Sequence, residues 1–483
     1  MLAKDFVRKV KDREIDVLDH TQKVLEEAKK LNKEYNYYNT ISEDLAIAQA
    51  EKLKKEPKGK LAGLPVSIKD CICVKGVEST AGSAILKGYR PVFNATVVER
   101  LANEGAIIIG KTSQDEFGFG AFNTNAGKGL NIPLNPYDKE RSCGGSSGGA
   151  GGIARRTGFP HVAIGESTGG SIVNPASFCG VYGLCPTYGR VSRYGLMDYG
   201  NSLDKIGPLS KDVEDSALVL ETISGFDSRE STSLNRPVEN YSKYAGRGVK
   251  GMKIGVIKEA FGEGVDDEVT KKVWEGIKHL ESEGAEYEEV SLKLAIKNGM
   301  SAYYLLATAE ASTNLQRYCG MRYGKHGKLE EGFNEYFTKV RSSNLGKEAK
   351  RRIIIGTFAR MAGFRDAYYI KAMKVRTKII NDYRKAFRKY DLLASPSVPM
   401  LPPRFDELDK LTLLQEYMAD ILTVGPNLAG LPHLNVTAGS ENVKGKKLPV
   451  GMTLIGNHLD EGKLVQAGSA FKNEGGGSGQ DEA

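Results

Sequence analysis

Histidine is scarce in this chain, with six among 483 residues. None lies in an H-E-x-x-H pattern, and there is no G-x-S-x-G turn for one to serve, so the common zinc-peptidase and serine-hydrolase sites lack their residues. The six cysteines (Cys71, Cys73, Cys143, Cys179, Cys185, Cys319) show no C-x-x-C spacing. A lone Cys71-x-Cys73 without a second Cys/His pair does not make a metal site, so no metal is expected and the thiols read as small buried hydrophobes. No apolar run approaches the length needed to cross a bilayer, which excludes a membrane-spanning role. The first residues carry no secretory pattern, and with reduced thiols this predicts a cytoplasmic protein. Phosphate-binding loops are missing too. GGSSGGAGG (144–152) has no Lys-Ser/Thr ending, and Gly246-x-Gly248-x-x-Gly251 precedes a strand where a dinucleotide fingerprint must follow one. Ser202-x-x-Lys205 has no accompanying Ser-Asp-Asn.

What remains is ordinary globular material, 40% hydrophobic and 27% charged with a net charge of +8, enough for a large core. Length alone suggests two or more domains. Helical spacing predicts two helices over 2–34 and another over 43–54, and YNYYNTI reads as a strand between them. LAGLPVSIKDCICV reads as a strand of a buried sheet interrupted at Lys69. ATVVERLANEG followed by AIIIGKT reads as helix then strand, the alternation from which α/β sheets are built. A second such segment opens at Met252, with long helices over 266–284, 296–317 and 348–389 and late strands in DLLASPSVP and PVGMTLIG. Residues 473–483 have the composition of a disordered linker. Between Lys339 and Lys389 basic residues outnumber acidic ones, which fits a solvated helix face, a protein partner or RNA.

The densest feature is Cys143–Tyr194. Two hydroxyl clusters stand in it, Ser146 with Ser147 and then Ser171, each introduced by Gly-Gly. Glycine admits close backbone approach, and a serine on a tight turn sits beside N–H groups able to hold a developing oxyanion. His161 lies between the clusters and reads as structural. A serine nucleophile without histidine needs another base, and a lysine held neutral by burial can serve. Lys69, inside an apolar strand, meets that requirement; a salt bridge to Asp70 or another acid is the competing reading.

GGSSGG, TGGSI and NPASFCGVYGLCPTYGRVSRYG, with VSIKD upstream, resemble the amidase signature enzymes in order and spacing. The resemblance implies one large α/β domain around a twisted mixed sheet flanked by helices. It would span residues 1–472, with N-terminal helices to about 60, a signature core over about 61–225 and pocket segments over about 226–472. It also implies a Ser-Ser-Lys triad: Ser171 as nucleophile, Ser146 on a cis peptide as the bridge, and Lys69 as base, with the N–H groups of Thr168, Gly169, Gly170 and Ser171 forming the oxyanion hole. Three departures stand out. Ser167 and Val173 occupy positions where many members carry aspartate and arginine. The segment between the serine clusters is one residue longer, which makes Ser147 an alternative bridge or a substrate contact.

Residues 302–324, 346–358, 366–383 and 427–439 are similar to one branch of that family, the glutamine-hydrolysing A subunits of tRNA-dependent glutamyl/aspartyl amidotransferases. That likeness implies glutamine as ammonia donor, Arg352 on its carboxylate, Asp420 on its ammonium, and Tyr303 lining the pocket. It implies a B subunit carrying ATP, Mg and most contact with charged tRNA, a small C subunit completing a heterotrimer, and no cofactor in this chain. The alternatives are a free-standing hydrolase of small amides and an inactive scaffold protein.

Overall fold

Strands buried on both faces tolerate unbroken apolar sequence, and PVSIK, IIIGKT and VAIGES are each buried throughout. They are β2 (Pro65–Lys69), β3 (Ile107–Thr112) and β4 (Val162–Ser167), and they run parallel with β2 in the middle. The computed structural model describes residues 1–328 and 332–471; the 473–483 tail lies outside them. Among the described residues eight further strands join the same sheet. They are β1 (Tyr38–Ile41), β5 (Tyr182–Cys185), β6 (Lys205–Ser210), β7 (Lys253–Ile257), β8 (Glu286–Val290), β9 (Leu392–Pro396), β10 (His433–Val443) and β11 (Lys446–Gly456). The order is β1-β3-β2-β4-β6-β5-β10-β11-β9-β7-β8.

The sheet is mixed. β9, β7 and β8 are parallel to one another, whereas every pair from β4 through β6, β5, β10 and β11 to β9 is antiparallel. The segment opening at Met252 is therefore no separate domain, contrary to what length suggests: β7 pairs with β9, and β9 with β11. β10 and β11 form a hairpin through Lys444-Gly445, both at positive φ, as a two-residue primed turn requires.

Helices cover the sheet. Val17–Tyr35 starts on Asp16, whose carboxylate accepts the N–H of Leu18 at 2.9 Å and of Asp19 at 3.2 Å, an N-cap. The helix expected over 348–389 is present in two pieces, Lys347–Arg360 and Lys371–Ala386, separated by a turn with Gly363 at φ +86 and a π-helical turn over Asp366–Ile370. Some cations of this basic stretch face inward. Arg341 donates to the carbonyls of Leu315 and Tyr318, and Arg376 to that of Leu428. Gly148, Gly149, Gly151 and Gly152 of GGSSGGAGG belong to the helix Gly148–Arg156, where a Cβ on Gly152 would lie 2.1 Å from the Tyr37 ring. They serve close packing. Among the described residues no helix is long and apolar enough to cross a membrane.

Candidate active site

Because β2 and β4 are parallel, their C-terminal ends emerge on the same side, and the site is built there. Lys69 ends β2, while Glu166 and Ser167 end β4 and lead into the turn Thr168–Ser171 and the helix Val173–Cys179. Ser146 precedes the helix Gly148–Arg156 and follows a cis Gly145–Ser146 peptide bond.

Lys69 is fully buried. Its Nζ donates to Ser146 Oγ at 2.7 Å, to the Glu166 carbonyl at 2.9 Å and to Glu166 Oε2 at 2.9 Å. Asp70, the nearer acid in sequence, turns away. It accepts from Thr80 and Asn39 and faces Lys111, whose Nζ is 3.5 Å from Oδ1. Among the described residues no hydrogen bond links Ser147 to Lys69, and the Ser147 hydroxyl donates to the Glu166 carbonyl at 3.1 Å. Of the two serines, Ser146 is thus the one on the lysine. Ser171 sits on the adjoining turn, its carbonyl accepting Ser147 N–H at 3.3 Å. Among the described residues no hydrogen bond links Ser171 Oγ to Ser146 or to another group.

The Thr168–Ser171 turn leaves its backbone N–H groups aimed at no protein acceptor among the described residues. Glycine is required within it by contact: a Cβ on Gly169 would lie 2.9 Å from Tyr303 Oη, and one on Gly170 would lie 2.4 Å from Asn174 Oδ1. The Thr168 hydroxyl lies 2.9 Å from Glu166 Oε1 and 2.7 Å from Asp204 Oδ1. Asp204 also accepts the N–H groups of Tyr199 and Gly200. At the two departures from the family pattern, Val173 is fully buried and Ser167 donates to the Gly169 carbonyl at 3.3 Å.

Beyond the turn stands an aromatic box around Arg352. The guanidinium is buried and lies 5.0 to 5.6 Å from the ring centres of Phe119, Tyr199, Tyr304 and Tyr417. It donates to Glu348 Oε1 at 2.8 Å and to Tyr199 Oη at 2.5 Å. Burial pushes the Glu348 carboxyl upward, but Arg352, Tyr417 and Arg351 outweigh it and leave it below the usual range. Arg351 is the more exposed of the two arginines.

Asp420 accepts Asn174 Nδ2 at 2.6 Å. Burial raises it to about 6, opposed by that hydrogen bond and by the Arg352 charge. Two amide oxygens of this region, Asn174 Oδ1 and Asn427 Oδ1, are buried without a partner among the described residues. Asn427 Nδ2 contacts the Gly169 carbonyl. A ligand carrying N–H groups would satisfy such oxygens.

The structure therefore gathers Lys69 and Ser146 in direct contact, Thr168, Gly169, Gly170 and Ser171 on the next turn, and Tyr303, Arg352 and Asp420 on its far side. Sequence reasoning passed over Glu166, Asp204, Asn174 and Asn427, as well as the Tyr199, Tyr304, Tyr417 and Glu348 surround of Arg352. A signal existed for Glu166, a carboxylate inside an otherwise apolar strand. His161 is buried, burial holds it down to about 3, and its Nε2 has no partner among the described residues.

The chain is similar to known proteins over nearly its whole length. The model of the family described as Amidase matches residues 19–465. The A subunit of glutamyl-tRNA(Gln) amidotransferase from Thermoanaerobacter pseudethanolicus is 44% identical, the alignment covering 96% of this chain and 94% of that protein. The protein of the same description from Koribacter versatilis is 46% identical over 91% of each chain. The crystal structure of the A subunit of glutamyl-tRNA(Gln) amidotransferase from Thermotoga maritima aligns with a TM-score of 0.79 at 35% identity, covering 97% of this chain and 94% of that one.

Proposed function

The chain belongs to the amidase family, and we propose that within it this enzyme is the glutamine-hydrolysing A subunit of a tRNA-dependent amidotransferase, working as a heterotrimer with B and C subunits. The observation that carries the reading is the buried pair of opposite charges, Arg352 and Asp420, close enough for the one to act on the ionisation of the other. A small apolar amide has no use for such a pair, whereas an amino acid presents a carboxylate to one and an ammonium to the other. The relatives that match over nearly their whole length support the same branch.

In this mechanism Ser171 Oγ attacks the side-chain carbonyl of glutamine while its proton passes to Ser146 and that of Ser146 to Lys69. The N–H groups of Thr168, Gly169, Gly170 and Ser171 receive the oxyanion, each good donor contributing about 3–4 kcal/mol. The proton returns to the leaving ammonia, and water releases glutamate from Ser171. Arg352 clamps the α-carboxylate, while Asp420 with the Asn174 and Asn427 oxygens takes the α-ammonium. Tyr303 closes the pocket over Gly169. Ammonia goes to the mischarged tRNA on the B subunit, where ATP and Mg would supply the activation of its acceptor carboxylate.

The test is substrate discrimination. kcat/KM for glutamine is expected to exceed that for its analogue lacking the α-carboxylate by about 100-fold, the cost of leaving the Arg352 clamp unfilled. Equal turnover of the two would make the chain a hydrolase of simple amides.

A further inference from the structure

The relay from Ser171 through Ser146 ends on a base with a lone pair, yet the strand that faces Lys69 supplies it with an anion. Glu166 Oε2 is 2.9 Å from Lys69 Nζ, and both side chains are buried. The three acceptors around Nζ (Ser146 Oγ, Glu166 O and Glu166 Oε2) match the three N–H donors of an ammonium. An ammonium cannot accept the Ser146 proton.

The other oxygen of Glu166 shows where the neighbouring proton lies. Thr168 has one hydroxyl proton and stands between Glu166 Oε1 and Asp204 Oδ1, at 2.9 and 2.7 Å. One of the two acids must therefore carry a proton. Burial, and then the Glu166 charge, push Asp204 well above the usual carboxylate range. With that proton on Asp204, Asp204 donates to Thr168 as Thr168 donates to Glu166, an arrangement that suits the ion pair between Glu166 and Lys69.

We propose that Glu166 is a positioning residue that holds Lys69 as an ammonium and so sets the pH above which Ser171 becomes a nucleophile. The proposal rests on the reading of Ser171 as nucleophile. In the reactive state Lys69 has lost one proton to solvent. The Ser146 proton then moves to the Nζ lone pair and the Ser171 proton to Ser146 Oγ. Ser171 Oγ bonds to the carbonyl carbon, whose π pair moves onto oxygen.

The other titratable groups around the pair do not replace Glu166. Asp115, following β3, feels Lys69 and Arg352 and is pushed up to about 6 by burial. Lys111 is committed to Asp70. The Cys71 and Cys185 thiols are pushed up by burial. Arg193 acts on Asp204 and pairs with Glu230. Among the described residues Glu166 alone forms an ion pair with Lys69.

The probe is phenylmethanesulfonyl fluoride, whose S–F bond is replaced by a bond to Ser171 Oγ. Its reaction needs no glutamine and is followed on the intact chain by mass from pH 5.5 to 10, with the modified residue located by digestion. The wild-type rate constant is expected to be low at pH 7 and to rise toward pH 10, since the relay must lose a proton before Ser171 can react. Glu166→Gln leaves Lys69 buried without its anion, so the profile moves to lower pH and labelling at pH 7 is about tenfold faster. Glu166→Asp, which keeps the charge, retains an alkaline midpoint. A residue with a merely structural role could not speed the reaction when replaced. A wild-type rate already level by pH 7 overturns the proposal, as does a glutamine variant whose profile superposes on the wild type or lies below it at every pH. The wild-type profile decides alone should that variant not fold. Absence of Ser171 modification at every pH overturns the nucleophile reading itself, and this proposal with it.

Discussion

Lys69 and Arg352 are both buried cations near the turn Thr168–Ser171, and they are held in opposite ways. Lys69 ends a strand, and its partners come from the next parallel strand and from a glycine-bounded turn, one of them a backbone carbonyl. Arg352 sits on a helix, and its partners are all side chains, brought from residues 119, 199, 304, 348 and 417. The first arrangement fixes a proton relay to the sheet, where a small displacement would break it. The second encloses a charge in polarisable rings and a single carboxylate, so the pocket can be reshaped for another substrate without moving the strands. In the proposed mechanism the proton relay depends on backbone geometry, and selectivity on side chains gathered from distant elements.

That contrast breaks most sharply at the relay. Ser171→Ala is expected to lower kcat for glutamine by about 10³-fold or more, and Lys69→Ala by a similar factor, both measured as ammonia release. KM stays near the wild-type value in the serine variant, because it leaves the Arg352 box intact.

On the other side of the turn the effect should fall on binding. Arg352→Lys keeps the charge and loses the fork, so KM for glutamine is expected to rise about 10- to 100-fold. Ser171 modification by phenylmethanesulfonyl fluoride stays at its wild-type rate. Arg352→Ala is the cruder change, since it removes the buried partner of Glu348 and leaves that carboxylate to Arg351 and the Tyr417 hydroxyl; a loss of about 1–3 kcal/mol is expected, read as a lowered midpoint of unfolding.

Asp420 gives a pH signature to the binding side alone. With its carboxyl raised to about 6 by burial, it is largely ionised at pH 7 and largely neutral at pH 5. Stabilisation of the substrate ammonium is therefore lost as pH falls, and KM should rise about tenfold between those values. Asp420→Asn should flatten that rise. The smallest expected effect is Tyr303→Phe, which keeps the ring over Gly169 and removes one hydroxyl; a change of about threefold in KM is expected.

The same contrast explains what could be read from the sequence. Ser146 and Ser171 stood out because backbone constraints write themselves into short glycine-bounded strings, Lys69 because it is a charge inside an apolar strand, and parallel buried strands such as IIIGKT announce themselves by composition. Glu166 lay within view, inside VAIGES, but its partner is 97 residues away and no local pattern encodes that contact. The surround of Arg352 was harder still, since Tyr199 meets it across 153 residues. β10 escaped because HLNVTAGSENV loses its apolar alternation where the hairpin runs out to the surface. The break at Gly363 was missed because the basic residues on either side keep helical character through it.

The central claim is that Ser171 hydrolyses glutamine, and ammonia release from glutamine by the purified chain, alone and with B and C subunits, against Ser171→Ala measures it most directly. Release that rises with the partners and disappears in the variant is the predicted result. Hydrolysis of simple amides with glutamine untouched, or release that survives Ser171→Ala, would contradict it.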